Sequence, residues 1–81
     1  MASTNETLRK ATADVFESWI DASTAYYTAA GLGEAESRTL SLSILSLLEG
    51  AFIFSRAMRS TEPMRVTGAA ASAMVREALA A

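Results

Sequence analysis

The chain has 81 residues, of which 51% are hydrophobic, and it contains one proline, no cysteine and no histidine. This composition excludes Ser-His-Asp and Cys-His catalysis, thiolate zinc sites and disulfides. The net charge of −2, with only seven scattered basic residues, argues against binding of a phosphate backbone by this chain itself.

Binding or assembly is the class of function that remains. The sequence has no Walker loop, GxGxxG loop or DxDxDG-type calcium loop, so we expect no cofactor, no metal site and no enzymatic activity. A chain of this size buries only about 60% of the surface that it exposes when unfolded, which leaves a self-sufficient core marginal. The sequence therefore predicts that the chain has a partner.

The N-terminal segment favours a cytoplasmic protein. It contains Glu6, Arg9 and Lys10 and lacks the apolar run of a secretory signal. A second segment, residues 39–55, is mostly apolar, but as a helix it would measure about 25 Å, less than the roughly 30 Å of a bilayer core. Glu49 and several Ser and Thr side chains also oppose insertion. We expect a buried helix of a soluble bundle and no membrane contact.

The first predicted helix runs from about residue 4 to residue 30, and Ser3 and Glu6 have the spacing of a capping box at its start. At 100° per residue, one arc is largely apolar and holds Leu8, Thr12, Val15, Phe16, Trp19, Ile20, Ser23, Tyr26, Tyr27 and Ala30. The opposite arc holds Lys10, Asp14, Glu17, Asp21, Thr24 and Thr28. The pattern predicts an amphipathic helix with one buried face, which ends at the glycines of residues 31–33.

The second predicted helix, residues 34–59, is apolar around most of its circumference. The remaining strip carries the small residues Ser43, Ser46, Gly50 and Ala57, which would let another helix approach closely. Because two neighbouring helices of the same chain cannot enclose such a helix, the pattern predicts that it is buried against something else.

The third predicted helix runs from residue 62 to residue 79, after a polar break in which Thr61 is the expected N-cap. It has a narrow stripe of mostly small residues, Met64, Gly68, Ala71, Val75 and Leu79. No strand-length alternation occurs anywhere, so the sequence predicts an all-α fold with three helices in one unit, residues 1–81.

Several motifs occur in a recognisable order. Gly31-Leu32-Gly33 and Glu34-Ala35-Glu36 precede the Leu-rich helix, which ends in EGA-x(4)-RA-x-R at residues 49–59, and a polar turn with Pro63-Met64 follows. Together with Phe16-x-x-Trp19, this order resembles the C-terminal part of a TetR-type transcriptional regulator, closest to repressors of lincomycin-resistance genes. The resemblance covers about residues 12–79.

The resemblance implies a cytoplasmic bacterial regulator with two parts. Its all-helical C-terminal domain would dimerise and bind a small effector, and an N-terminal helix-turn-helix domain would read DNA. The present helices would correspond to the last three of such a protein, so the DNA-binding part is expected to be missing from this chain and only part of an effector pocket to be present. The second and third helices would pair with those of a second copy in a four-helix bundle.

These expectations assign two sets of residues. The predicted homodimer interface comprises Ser43, Ser46, Glu49, Gly50, Ile53, Arg56, Ala57, Met64, Gly68, Ala71 and Val75. The predicted pocket for a small apolar effector comprises Phe16, Trp19, Tyr26, Leu45 and Phe52, although aromatic residues at helical spacing are more often core. Glu49 and Arg56 could form an interface network or simply reach water at a bundle edge. Arg56, Arg59 and Arg65 fit a solvated helix end better than a nucleic-acid site. A small stand-alone helical assembly protein, without effector or DNA, is the alternative function.

Overall fold

A computed structural model describes residues 2–80 of the chain, and the side chains of residues 4–80. Over this range the chain forms three helices, α1 (Ala2–Ala29), α2 (Glu34–Met58) and α3 (Glu62–Ala80), and no strand. The predicted all-α class is confirmed, and the breaks between helices lie where the sequence places them.

Helix α1 begins earlier than expected. Because the helix already includes Ala2, Ser3 lies inside its first turn and not at the N-cap, and the Ser3 side chain lies outside the described residues. The Glu6 carboxylate accepts a hydrogen bond from Arg9 Nε at 2.9 Å. This pair, one turn apart, supports the exposed first turns of the helix.

Glycine ends α1 as predicted. Gly31 has a φ of 117°, in the region that side chains rarely adopt. Its amide donates to the Thr28 carbonyl, and the Leu32 amide donates to the Tyr27 carbonyl at 3.1 Å. These two bonds form a Schellman motif, which satisfies carbonyls at the helix end and turns the chain back on itself.

Helix α2 ends in the same motif without a glycine. Arg59 takes the left-handed conformation, with φ 51° and ψ 48°, and the Ser60 amide donates to the Ser55 carbonyl at 3.1 Å. Ser60 Oγ then accepts a hydrogen bond from the Glu62 amide at the start of α3. Thr61 is the N-cap residue, as predicted, because α3 begins at Glu62 and the Thr61 carbonyl accepts a hydrogen bond from the Arg65 amide at 3.0 Å. The side-chain hydrogen bond to the helix start comes from Ser60, one residue earlier.

The core of the chain is small and lies on α2. Helix α2 packs against α1 and α3, and no Cα of α1 comes within 8 Å of one in α3. The buried apolar cluster consists of Tyr27, Leu40, Ile44 and Ala71, with Leu32, Leu48, Met74, Val75 and Ala78 packed around it. The helices extend over 49 × 32 × 12 Å, so the chain is about one helix thick in its shortest direction.

This flat shape exposes more surface than a compact chain would. The radius of gyration is 15.1 Å, whereas a compact domain of this length has one of about 12 Å. The accessible surface is 5891 Å², roughly 1,200 Å² more than the surface-scaling rule gives for this mass. The structure thus agrees with the expectation that one copy of the chain cannot bury its own apolar residues.

The buried face of α1 is narrower than the predicted arc. Ile20 and Tyr27 are buried, but Leu8, Val15 and Tyr26, from the same arc, remain exposed. Thr24, which the sequence placed on the polar side, is half-buried against α2. The reason is that α2 is the only helix in contact with α1 over the described residues, and one neighbour covers only part of an apolar arc.

Candidate functional site

An open groove of about 380 Å³ lies between α1 and α2. It is lined by Phe16, Trp19, Ile20, Leu42, Leu45, Ser46 and Glu49. The Phe16 and Trp19 rings, one helical turn apart, meet edge to face with their centroids 5.3 Å apart. This edge-to-face geometry is one that aromatic pairs prefer, so the two rings form an ordered apolar wall.

Small residues on α2 let α1 approach closely beside the groove. Ser37 and Ser41 are fully buried, and Ser41 Oγ pairs with Thr24 Oγ1 at 3.3 Å. A large side chain at Ser41 would push the helices apart. The contact between Ser41 and Thr24 thus joins α1 and α2 close to the groove.

An ion-pair network on the surface joins the same two helices. Arg38 Nη1 donates to Glu17 Oε2 at 2.8 Å, and Asp21 Oδ1 lies 3.9 Å from the same nitrogen. The hydrogen bond and charge of Arg38 lower the pKa of Glu17, and the same hydrogen bond raises the pKa of Arg38. Because these groups are exposed, the network contributes little to the stability of the fold.

One carboxylate borders the otherwise apolar groove. Glu49 is the only ionisable side chain in its lining, and Ser46 is the only other polar one. Among the described residues, no hydrogen bond or ion pair engages Glu49. Arg56, with which the sequence associated it, lies over the Phe52 ring instead, 5.8 Å from the centroid. The groove thus combines an aromatic wall with an unpaired negative charge.

The structure brings together three of the five predicted pocket residues. Phe16, Trp19 and Leu45 line the groove, but Tyr26 and Phe52 do not. Tyr26 is 69% exposed and packs edge to face against Tyr27. Phe52 borders a separate depression of about 350 Å³ at the α2–α3 corner, together with Ser55, Arg56, Arg59, Ser60, Thr61 and Met64.

The sequence prediction did not assign Ile20 or Leu42 to a pocket, and it assigned Ser46 and Glu49 to the dimer interface. Antiparallel register could have found part of this lining. About the turn at residues 31–33, position 19 lies opposite position 45, and positions 16 and 20 lie opposite positions 48 and 44, each next to a residue of the lining.

Apart from Glu49 and Arg56, the predicted interface residues form an outer group on α2 and an inner group on α3. Ser43, Ser46, Gly50, Ile53 and Ala57 share one side of α2 at 100° per residue, and all are exposed or half-exposed. Leu47 and Phe54 flank them and are exposed as well. A Cβ added to Gly50 would meet no neighbouring atom within 4 Å. We call this side of α2 (residues 43, 46, 47, 50, 53, 54 and 57) the outer face.

The inner group lies on α3. Ala71 is buried in the chain's own core, and Val75 packs against that core. Gly68 is half-exposed, and Met64 is at the border of exposure. Ala71 therefore has little surface left for a partner, because α2 already covers it.

The fold and the groove define a class of protein, an all-helical module with an open, mainly apolar groove. Within residues 2–80, no group of three His, Cys, Asp or Glu side chains is placed to hold a metal ion. Residues 1–70 match the family described as "Transcriptional regulator LmrA/YxaF-like, C-terminal domain". The chain belongs to this family of TetR-type C-terminal domains, which confirms the resemblance that the motifs indicated. No significant match to a curated protein or to a solved structure was found.

Proposed function

We propose that this chain is the dimerisation and effector-binding part of a TetR-type transcriptional regulator of the cytoplasm. The outer face of α2, with the neighbouring exposed edge of α3, pairs with the same surface of a second copy. The groove between α1 and α2 receives a small, mainly apolar molecule. The observation that carries this proposal is the unpartnered outer face, in a chain whose family is that of regulator C-terminal domains.

The surface area supports a dimer. This chain exposes roughly 1,200 Å² more surface than a compact protein of the same mass. That excess is larger than the roughly 800 Å² that each partner of a standard interface buries. The chain therefore has enough surplus surface to form an interface of standard size with a second copy.

The amino acids of the outer face support helix pairing in particular. Ser43, Gly50 and Ala57 recur every seven residues, which keeps small side chains on one line along the helix. Ile53 and Phe54 beside this line supply apolar bulk. Two such surfaces can interlock, with small residues facing large ones, as in a four-helix bundle formed by α2 and α3 of two copies.

Helix α2 also meets the length and composition of a membrane span, with 25 residues and a mean hydropathy of 1.4 in its most apolar window. The core helix of a soluble protein meets the same criteria. Membership of a family of transcriptional regulators favours a soluble helix that a second copy covers. DNA contact is proposed only through a part of the regulator other than these helices, because the chain carries a net charge of −2 and its seven basic residues are scattered along the sequence.

A matched pair of substitutions tests the dimer. Ile53 on the outer face is 65% exposed, and Val66, which points away from α2 on α3, is 62% exposed. In a single chain a glutamate should be tolerated equally at both positions. We expect Ile53→Glu to give monomers in sedimentation velocity and Val66→Glu to leave the dimer intact. Monomeric wild-type protein, or equal behaviour of the two variants, would contradict the proposed interface.

A further inference from the structure

We propose that the groove between α1 and α2 selects apolar molecules that carry a positive charge, and that Glu49 is the group that recognises the charge. This inference rests on the proposed function of the groove as the effector site. It goes further by assigning the chemical class of the ligand, a lipophilic cation such as a bulky amine or an onium ion.

The first argument is the state of the Glu49 carboxylate. It borders the groove, and no cation of the described chain pairs with it. Arg38 is held by Glu17 and Asp21 on the surface, and lies eleven residues away along the same helix, about 16 Å. Arg56 lies about 10 Å along the helix in the other direction and packs over Phe52. The charge of Glu49 is therefore available to a ligand.

The second argument is the aromatic wall opposite that carboxylate. Phe16 and Trp19 are 37% and 46% exposed, so part of each ring is open to a ligand. The faces of aromatic rings carry partial negative charge and attract cations, tryptophan most strongly. A cation in the groove would therefore meet a carboxylate on α2 and π systems on α1.

The third argument concerns the other classes of ligand. A neutral apolar molecule would gain nothing from the charge of Glu49, whose side chain is exposed at the border of the groove. An anion would add repulsion between like charges. Of the three classes, only a cation gains from both the aromatic wall and the carboxylate while its apolar body contacts Ile20, Leu42 and Leu45.

Two ions of nearly the same shape and opposite charge provide the test. Tetraphenylphosphonium is a cation and tetraphenylborate is an anion, and both are bulky and apolar. Trp19, the only tryptophan of the chain, lies in the groove, so its fluorescence reports binding directly. We expect tetraphenylphosphonium to bind about tenfold more tightly than tetraphenylborate, with a preference that decreases as salt is added.

A substitution assigns the preference to one residue. Glu49→Gln keeps the shape of the side chain and should weaken binding of the cation about fivefold, the scale of an exposed ion pair. It should not weaken binding of the anion. Glu36→Gln is the control, because Glu36 is an exposed carboxylate of α2 outside the groove lining. It changes the net charge equally and should leave both affinities unchanged.

The outcomes separate this inference from the function on which it rests. Equal binding of both ions with Trp19 quenching would overturn the charge selectivity and leave the groove as an apolar site. Absence of quenching by either ion would contradict the groove itself. Equal effects of Glu36→Gln and Glu49→Gln would show that the preference for the cation comes from the net charge of the protein. This result would overturn the role of Glu49. Loss of the dimer in Glu49→Gln, with ion binding unchanged, would assign Glu49 to the interface instead and also overturn the proposal.

Discussion

Gly50 offers a strong test of the proposed dimer, because its replacement by leucine should stabilise the helix within one chain but weaken the association of two chains. The residue lies in the interior of α2, where glycine costs about 1 kcal/mol relative to alanine. No neighbouring atom lies within 4 Å of an added Cβ. Within one chain, Gly50→Leu should therefore stabilise the helix, by an amount close to the difference in helix propensity.

The effect on association is expected to be unfavourable and larger. A leucine forced into a packed interface costs typically about 1–3 kcal/mol. A two-fold symmetric interface contains the change twice, which doubles the cost to roughly 2–6 kcal/mol. At about 1.4 kcal/mol per tenfold, the dissociation constant of the dimer should rise by roughly 30-fold to 20,000-fold. The helix-propensity gain is present in monomer and dimer alike and cancels from this constant.

The control is Ala73→Leu. Ala73 is exposed on α3, on the side of that helix that points away from α2, and the change also introduces a leucine into a helix. Sedimentation equilibrium should give weaker association for Gly50→Leu only, and circular dichroism should show full helicity for both variants. A tighter dimer in Gly50→Leu would show that Gly50 borders open space in the assembly as well. Equal association of the two variants would place the interface elsewhere.

Three further predictions concern the contact between α1 and α2. Ser37 and Ser41 are both fully buried, but Ser37 Oγ has no hydrogen-bond partner and Ser41 Oγ pairs with Thr24. Urea denaturation at fixed protein concentration should therefore show that Ser37→Ala is neutral or stabilising. Ser41→Ala should be less stable than Ser37→Ala by about 1 kcal/mol. Equal effects of the two substitutions would contradict the assigned hydrogen bonding. Leu40→Ala should destabilise the chain by about 2–4 kcal/mol in the same assay, because Leu40 belongs to the small buried cluster. Arg38 lowers the pKa of Glu17, so this pair contributes stability above the unfolded pKa of the carboxyl and loses it as pH falls through the lower folded pKa. Glu17→Gln should accordingly cost a little stability at pH 7 and nothing at pH 2, and a cost that persists at pH 2 would contradict this origin.

The helices, their breaks and the family could be predicted from the sequence because each depends on residues close together in the chain. The left-handed glycine at residue 31 and the proline at residue 63 mark both turns locally. The order of the motifs around residues 49–59 carried the resemblance that the family match confirms. Details at the helix ends were less predictable, because local spacing does not show that Ser60, one residue before the predicted N-cap Thr61, accepts the hydrogen bond from the Glu62 amide.

Only the tertiary structure decided which members of each apolar arc are buried and which residues share a groove. Periodicity gives the angle of a side chain around its own helix, but not the place where another helix crosses. That crossing places Thr24 of α1 against the buried Ser41 of α2. It buries Ile20, leaves Val15 exposed, and brings Glu49 of α2 to the same groove as the aromatic pair of α1. Such contacts join residues about 30 positions apart in different helices. The periodicity of one helix does not predict which residues of the other helix it contacts.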